Sequence, residues 1–580
     1  DGSIKDLLPK PYSHSSRVHE YGGMAYALSD ENLYFVNASD QRIYKVDLGD
    51  KSEPVPITGL SLQRFADLII DRNNQRLIAV CEEHRGEQEP ENYLVAISLN
   101  SENPSVTKLQ GGADFYAYPR ISPDQTTLCW IEWQHPNMPW DCTQLWQATI
   151  NSDGSLADKT LVAGEDNNQS IFQPQWSPNN QLYFVSDKNN WWNIYRADNG
   201  SCTPVLEIEA EFATPLWQFG MSTYDFVDAQ TIGCLWTDKG LWNSGFIDIS
   251  SGQLSEVDCQ YSSLQSACCF QGSLYMVAGA AALPSEIIRV DQQSVSAIYA
   301  PATLDLDPEG FSQPESILFP ATDGQQVHAF FYPPTNSAYC GMENELPLVI
   351  ALCHGGPTGA TDSGLNLKIQ YWTSRGFAVV DINYRGSTGF GRTYRQSLAG
   401  AWGIADVEDS QKAIEYLAAE KKIDALRCII RGGSAGGYTV LSALTFTDTF
   451  KAGASLYGIG DLETLATDTH KFESRYMDSL IGPYPERKDI YTARSPIHHA
   501  EGLNCPVIFL QGLEDKVVPP NQAEMMVKLL EEKGIKVGHI TFANEGHGFR
   551  KAVNIIRAME SELAFYTDVF SLTDKNKESA

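Results

Sequence analysis

Residues 427–444 read RCIIRGGSAGGYTVLSAL, and this stretch decides the fold of the second half of the chain. A short apolar run is followed by GGSAG at 432–436 and then by residues with helical spacing. A serine on a strained turn between a strand and a helix needs small flanking residues, because larger ones would collide with both elements. Ser434 is therefore the candidate nucleophile.

Around this turn, strand-like and helix-like runs alternate. Apolar runs of strand length occur at 346–353, 377–384, 507–512 and 539–543, and helix-like segments separate them. One of these segments, VEDSQKAIEYLAAEK at 407–421, carries its apolar residues on one helical face. Buried strands alternating with helices are typical of a doubly wound parallel sheet. Together with the serine turn, they predict an α/β-hydrolase domain over residues 311–580.

Two loops of this domain offer partners for the serine. A serine hydroxyl needs a general base, and the base needs an orienting carboxylate. In this fold they follow the serine in the order acid, then histidine, each on a loop after a strand. The loop after 507–512 contains Glu514 and Asp515, and the loop after 539–543 contains His547 between two glycines. The sequence thus predicts a triad of Ser434, His547 and one of these two carboxylates.

The triad chemistry also requires an oxyanion hole, which usually consists of two backbone N–H groups. Ala435, directly after the nucleophile, is the expected first donor. The HGG of residues 354–356 resembles the glycine-rich oxyanion loop of esterases and peptidases, so Gly356 is the expected second donor. GSTGFG at 386–391 fits neither the Walker nor the dinucleotide spacing, and no metal motif occurs. We therefore expect no cofactor and no metal.

The first half of the chain is repetitive. A polar turn, an aromatic-rich strand and a second strand recur six times, with spacings of 41 to 55 residues. The turns are marked by Asp30, Asp71, Pro123, Pro178, Asp228 and Gln271. Repeats of about 40 to 50 residues with four strands each are typical of β-propeller blades. A β-sandwich array would also have short strands but would not need this recurring phrase, so we predict a β-propeller over residues 1–310.

Charge excludes several classes of partner. The chain has 42 Lys and Arg against 73 Asp and Glu, a net charge of −31. Such a surface repels nucleic acid and anionic membranes, so we expect neither as a partner. Residues 1–310 hold 17 basic and 41 acidic residues and so carry most of the charge. Either solubility or attraction of cationic substrates explains this distribution.

The twelve cysteines show neither CxxC pairs nor zinc spacing, which favours free thiols in a reducing compartment. No apolar run reaches the ~18 residues of a membrane span, and no signal peptide is recognisable. We therefore expect a cytoplasmic protein, although a chain that begins at Asp1 says little about what precedes it. The sequence leaves open whether the protein forms a homo-oligomer.

Five phrases in the order HGGP, YRGSTGFG, GGSAGGY, QGLEDKVVPP and EGHGF follow the propeller-like half. The combination resembles the prolyl oligopeptidase family of serine peptidases, in its acylaminoacyl-peptidase and dipeptidyl-peptidase-like branch. Residues 17–23, 135–141 and 469–476 look like phrases of bacterial aminopeptidases in that branch. The resemblance implies Asp515 as the triad acid. Such enzymes usually have seven or more blades, so either one repeat is too degenerate to recognise or the propeller is a truncated seven-bladed one.

The resemblance also implies a function. We expect an exopeptidase that cleaves short peptides or aminoacyl amides through an acyl-enzyme, of aminopeptidase, dipeptidyl-peptidase or acylaminoacyl-peptidase type. Exopeptidases of the family bind the substrate ammonium with acidic side chains, and aromatic residues near the nucleophile line the specificity pocket. The candidates are Glu20, Glu82, Glu83 and Glu473 for the ammonium and Tyr457, Phe472 and Tyr476 for the pocket. The alternatives are an esterase or small-molecule aminoacyl amidase on the same scaffold, or a non-catalytic propeller that binds a partner.

Overall fold

The computed structural model describes residues 6–49, 53–86, 88–99, 105–166, 168–198, 200–292, 294–301, 304 and 306–572. Within these ranges the chain forms six four-stranded sheets and then one eight-stranded sheet that is flanked by helices. The predicted division at residue 310 falls at the end of a 3-10 helix, Pro308–Gly310, that lies between the last small sheet and the large one.

The six small sheets are the blades of a β-propeller, which confirms the prediction from the repeats. Each is antiparallel and keeps the order of its strands in the chain. The first blade consists of β1 Tyr26–Leu28, β2 Asn32–Val36, β3 Ile43–Asp47 and β4 Val55–Pro56. The second consists of β5 Gln63–Asp71, β6 Arg76–Glu83, β7 Glu91–Ser98 and β8 Val106–Gln110. The third consists of β9 Phe115–Ile121, β10 Thr127–Trp133, β11 Gln144–Ile150 and β12 Leu156–Ala163. The fourth blade consists of β13 Ile171–Trp176, β14 Leu182–Ser186, β15 Asn193–Asp198 and β16 Ser201–Pro204. The fifth consists of β17 Tyr224–Phe226, β18 Thr231–Asp238, β19 Leu241–Asp248 and β20 Leu254–Glu256. The sixth consists of β21 Ser263–Phe270, β22 Ser273–Ala280, β23 Leu283–Asp291 and β24 Ser294–Tyr299. The described residues form no seventh such sheet.

Side chains on the first strands of the second and fifth blades tie neighbouring blades together. Asp67 Oδ2 in β5 accepts a hydrogen bond of 2.7 Å from the backbone N–H of Tyr118 in β9. Asp225 in β17 accepts hydrogen bonds with both carboxylate oxygens, from Gln175 Nε2 at 2.5 Å and from the backbone N–H of Cys269 at 2.7 Å. A buried carboxylate is stable where hydrogen bonds replace its water. These bonds and the apolar cores between blades fix the stacking of the propeller.

The eight-stranded sheet confirms the predicted α/β-hydrolase fold. Its strand order is β25-β26-β28-β27-β29-β30-β31-β32. Strand β26 runs antiparallel to its neighbours β25 and β28, and all pairs from β28 to β32 are parallel. The strands are β25 Glu315–Pro320, β26 Gln326–Tyr332, β27 Val349–Cys353, β28 Ala378–Asn383, β29 Cys428–Gly433, β30 Ala452–Leu456, β31 Val507–Gly512 and β32 Val537–Phe542. The helices are α1 Leu367–Thr373, α2 Arg392–Gln396, α3 Ala405–Ala419, α4 Ala435–Phe446, α5 Leu462–Thr467, α6 Tyr476–Leu480, α7 Lys488–Arg494, α8 Asn521–Glu532 and α9 Ala552–Val569, with 3-10 helices at Lys471–Glu473 and Pro496–His499.

Strand β30 is central but has no strand-like sequence. It reads AGASL and has no β-branched residue, whereas its neighbours β29, CIIRGG, and β31, VIFLQG, each have two. A Cβ atom at Gly453 would lie 2.5 Å from a methyl group of Leu444 and 3.2 Å from one of Val440, both on α4. The strand is therefore built from small residues because the helix after the nucleophile packs directly on it.

Buried charges join the two domains. On α2, Arg392 Nη1 lies 2.7 Å from Asp187 Oδ2, and Arg395 pairs with the same carboxylate of the propeller. Arg395 Nη1 also lies 3.8 Å from Glu211 Oε1, and burial raises the pKa of Glu211 to about 7. The guanidinium of Arg395 sits 4.0 Å from the ring centre of Trp192. Asp187 and Glu211 are fully buried and the two arginines nearly so, and separation of the domains would therefore break the whole cluster.

We expect Arg395→Met to lower the free energy of unfolding by about 3 kcal/mol, because it leaves buried carboxylates short of a cation. Denaturant unfolding followed by fluorescence measures the change. Arg196→Met is the matched control, since Arg196 forms a similar pair with Asp198 but both side chains are about one-third exposed or more. Arg196→Met should lower the free energy of unfolding by less than about 1 kcal/mol. Equal losses in the two variants would contradict a special contribution of the cluster.

Candidate active site

Ser434 lies at the turn between β29 and α4 with a left-handed backbone, φ 55° and ψ −124°. The small neighbours have a steric reason. A Cβ atom at Gly432 would lie 2.4 Å from the carbonyl oxygen of Gly436, and one at Gly436 would lie 2.1 Å from that of Cys353 in β27. Only glycine fits these two positions, so the GGSAG segment aims the Ser434 hydroxyl at the carboxyl edge of the sheet.

The two loops after β31 and β32 bring an acid and a histidine to Ser434. His547 Nε2 lies 2.9 Å from Ser434 Oγ, and His547 Nδ1 lies 2.9 Å from Asp515 Oδ2. The other carboxylate oxygen, Asp515 Oδ1, accepts hydrogen bonds of 2.9 Å from the N–H groups of Val517 and Val518. Asp515 is buried, whereas its neighbour Glu514 is exposed. Of the two carboxylates, Asp515 is the one that contacts His547, in an arrangement that a serine nucleophile and its base would require.

The two expected oxyanion donors lie beside this triad. Gly356, Ala435 and Ser434 line the same cavity. Among the described residues, neither the Gly356 N–H nor the Ala435 N–H has a hydrogen-bond acceptor. Gly356 has φ +123°, and a Cβ atom there would lie 2.9 Å from the Thr358 nitrogen, so the loop requires glycine. Two N–H groups without acceptors next to a serine can stabilise the oxyanion of a tetrahedral intermediate.

His354, at the start of this loop, is not a second base. Its ring stacks on Tyr384 at 4.2 Å, and its Nε2 lies 2.7 Å from Ser387 Oγ. Burial lowers the pKa of His354 to about 4, so the ring is neutral near pH 7. Its contacts hold the loop that carries Gly356.

The cavity over Ser434 has a volume of about 600 Å³ and lies between the two domains. The propeller supplies Tyr21 and Trp217, and the hydrolase domain supplies the remaining wall. Aromatic and aliphatic side chains dominate that wall: Trp402, Tyr476, Met477, Leu480 and Val518. A cavity of this size and lining suits a bulky apolar side chain next to the bond that Ser434 attacks.

One acidic side chain belongs to this cavity. Glu473 lines it, and its side chain is only 15% exposed. The hydroxyl of Tyr21 donates a hydrogen bond to Glu473 Oε1, and burial together with this carboxylate raises the pKa of Tyr21, which stays neutral. No lysine or arginine of the described residues lies within 4.0 Å of Glu473; its one basic neighbour is His470, at 3.9 Å. A carboxylate in this setting is suited to an ammonium group.

Comparison with known proteins identifies the family. Residues 363–573 match the model of the prolyl oligopeptidase family. The structure of a puromycin-hydrolyzing peptidase from Mycobacterium tuberculosis superposes with a TM-score of 0.93 at 37% identity, over 98% of this chain and 89% of that one. A crystal structure of puromycin hydrolase gives 0.93 at 34% identity, over 97% and 89%. This chain belongs to the prolyl oligopeptidase family of serine peptidases.

Within the prolyl oligopeptidase family, Dipeptidyl aminopeptidase BIII of Pseudoxanthomonas mexicana is 33% identical over 215 residues, which are 36% of this chain and 31% of that protein. The matched part thus spans about a third of the length of such curated relatives.

The other acidic candidates do not reach the cavity of this prolyl oligopeptidase family member. Glu20 pairs with Arg64 at 2.5 Å, and Glu83 pairs with Arg85. Glu82 is buried, where it accepts the N–H of His19 and contacts His84 Nε2, both at 2.9 Å. Their charges are neutralised within the propeller, and none of the three lines the cavity. The expectation that they bind the substrate ammonium is therefore not supported by their positions.

The three aromatic candidates divide in a similar way. Tyr457 and Tyr476 line the cavity, and the Tyr457 ring contacts that of His547 at 4.9 Å. Phe472 does not line it; its ring stacks on His19 at 4.8 Å in an aromatic cluster between the domains. Phe472 is therefore a packing residue rather than a wall of the pocket.

Several residues that line the cavity were not predicted from the sequence. Tyr21 lies inside the RVHEYGG phrase, but nothing in that phrase indicates Glu473 as its partner. Trp217 lies in an irregular segment between two blades, and Trp402 lies in a loop before α3. A search for aromatic residues outside the repeats could have found the two tryptophans.

The described helices include none that is long and apolar enough to cross a membrane. The same residues contain no group of three or more His, Cys, Asp or Glu side chains arranged to hold a metal ion. No disulfide bond joins the cysteines of the described residues.

Proposed function

We propose that this chain is a serine exopeptidase that cleaves short peptides and aminoacyl amides with a free amino terminus. The observation that carries the proposal is Glu473 in the same interdomain cavity as Ser434 and His547. A carboxylate without a lysine or arginine partner favours a substrate ammonium and disfavours an acylated amino terminus. The aminopeptidase and dipeptidyl-peptidase types are therefore preferred to the acylaminoacyl-peptidase type.

In the proposed mechanism, Ser434 Oγ attacks the carbonyl carbon while His547 Nε2 takes the hydroxyl proton. The carbonyl electron pair moves to oxygen, and the N–H groups of Gly356 and Ala435 bind the oxyanion. The oxyanion collapses, the C–N bond breaks, and His547 gives its proton to the leaving amine. A water then repeats the sequence on the acyl-enzyme, which releases the acid and restores Ser434. Asp515 holds His547 with Nδ1 protonated and stabilises the imidazolium.

Glu473→Gln tests the proposal. It should lower kcat/KM for a substrate with a free amino terminus by about 100-fold, which corresponds to about 2.8 kcal/mol, because the ammonium loses a buried counter-charge. For the same substrate with an acetylated amino terminus, we expect a change of less than about threefold. Matched aminoacyl and N-acetyl-aminoacyl p-nitroanilides provide the measurement.

Glu20→Gln is the matched control, because Glu20 is paired with Arg64 outside the cavity. It should leave both substrates unaffected. Equal losses for the free and acetylated substrates in Glu473→Gln would remove Glu473 from ammonium recognition. Failure of the wild-type protein to cleave any free-amine substrate would overturn the function itself.

A second candidate is an amidase for small aminoacyl amides. Two solved structures that are more than 30% identical to this chain are named for puromycin hydrolysis, and this supports the candidate. Mass spectrometry of the products formed from puromycin and from free peptides of two to six residues separates the two functions. Turnover of puromycin without any peptide cleavage would favour the amidase.

A further inference from the structure

The loop that carries Gly356 is held at one residue by both domains. Thr358, two residues after Gly356, is buried, and its backbone N–H donates to Tyr476 Oη at 3.0 Å. Its carbonyl oxygen accepts a hydrogen bond of 2.7 Å from Trp217 Nε1 of the propeller. Both backbone polar groups of this residue are therefore used, one by α6 and the other by the propeller.

Trp217 is itself firmly held. It lies between β16 and β17, in a segment whose Phe219 N–H donates to the carbonyl oxygen of Gly22 at 2.8 Å. Its ring packs against Trp140 at 4.4 Å and Tyr21 at 5.2 Å. An indole in such packing presents its N–H in a fixed direction. The bond to Thr358 thus transmits the position of the propeller to the loop.

The same loop meets the propeller again further along the chain. Ser263 Oγ donates to Asp362 Oδ2 at 2.9 Å, and Ser363 Oγ donates to Ser262 Oγ at 2.8 Å. Within the hydrolase domain, the N–H of Thr388 donates to the carbonyl oxygen of Gly359 at 2.8 Å. The loop therefore forms hydrogen bonds with both domains. Of its hydrogen bonds to the propeller described above, the one closest to Gly356 along the chain is the bond between Thr358 and Trp217.

We infer that Trp217 is a positioning residue for the oxyanion hole: its indole N–H fixes Thr358 and thereby the direction of the Gly356 N–H. This inference rests on the proposed serine hydrolase chemistry. A donor in an oxyanion hole acts on the transition state, and small displacements from its productive geometry reduce its effect. The propeller therefore completes the catalytic site as well as covering it.

The test replaces the indole N–H and keeps the shape of the ring. β-(3-Benzothienyl)alanine at position 217 has sulfur where tryptophan has the N–H, and Trp217→Phe is the simpler second variant. Both should slow the reaction of Ser434 with a fluorophosphonate probe by about tenfold or more. For a free-amine substrate, kcat should fall by a similar factor while KM changes less than about threefold.

Affinity for a peptide aldehyde, which forms a tetrahedral adduct with the serine, should fall in parallel with kcat. Trp133→Phe is the matched control, because Trp133 is buried and its Nε1 has no hydrogen-bond partner among the described residues. It should react with the probe within twofold of the wild-type rate.

The possible outcomes are distinct. If the wild-type protein does not react with the probe, the proposed function fails. If the wild type reacts and the benzothienyl variant reacts at the same rate, the role of Trp217 fails. A loss confined to KM, with unchanged aldehyde affinity and probe reaction, would make Trp217 only a wall of the cavity and would also overturn the inference.

Discussion

Ser434→Ala should lower kcat for a free-amine peptide by about a million-fold, because the variant has no atom that can form the acyl-enzyme. Substrate affinity should stay within a fewfold of the wild type, since the Glu473 carboxylate and the cavity wall are unchanged. Single-turnover kinetics with a fluorogenic aminoacyl amide, together with equilibrium binding of the same compound, measure both quantities.

Ser442→Ala is the matched control for this variant. Ser442 lies on the same helix, α4, is fully buried, and its hydroxyl has no partner among the described residues. Its removal should leave kcat within twofold. Residual activity of Ser434→Ala above about 1% of the wild type, after contamination has been excluded by probe titration, would mean that another group is the nucleophile.

Asp515→Asn should lower kcat by about 10⁴-fold through the tautomer of His547. The N–H groups of Val517 and Val518 both point at Asp515 Oδ1, so the asparagine oxygen will occupy that position. Its NH₂ group then faces His547 Nδ1 and can only donate to it. The ring proton is thereby moved to Nε2, where it blocks acceptance of the Ser434 proton. The pre-steady-state rate of acylation by p-nitrophenyl acetate provides the measurement.

Glu514→Gln separates the two neighbouring carboxylates. Glu514 is exposed, and in contrast to Asp515 it makes no contact with His547 among the described residues. We expect wild-type acylation in this variant. A loss in Glu514→Gln as large as in Asp515→Asn would indicate that the loop itself, rather than the Asp515 carboxylate, is required.

The sequence predicted those parts of the site that depend on local chain geometry. Ser434 lies where small residues link a strand to a helix, and His547 follows a strand on a glycine-flanked loop. Their neighbours in the chain are therefore enough to indicate them as candidates. Strand β30 was not predicted, because its small residues are explained by contact with α4 and not by strand propensity. The blades were predicted from the repeated turns, which are also local.

Contacts between distant residues could not be predicted. Tyr21 meets Glu473 across 452 positions and Trp217 meets Thr358 across 141, so no window of sequence contains either pair. Acidic residues such as Glu20 were indistinguishable from Glu473, because pairing with Arg64 is decided only by the folded propeller. A carboxylate without a basic side chain paired to it can be recognised only when its neighbours in the folded structure are known.

The division of the site between two domains has a consequence for biosynthesis. The ribosome makes Tyr21 and Trp217 long before Ser434, and His547 comes still later in the chain. Domains generally fold in the order of their synthesis, with the amino-terminal one first. The propeller is therefore ready when the last member of the triad emerges, and the nascent polypeptide passes through no stage with an active and uncovered serine. Other newly made chains nearby are thus protected from this serine by the propeller itself.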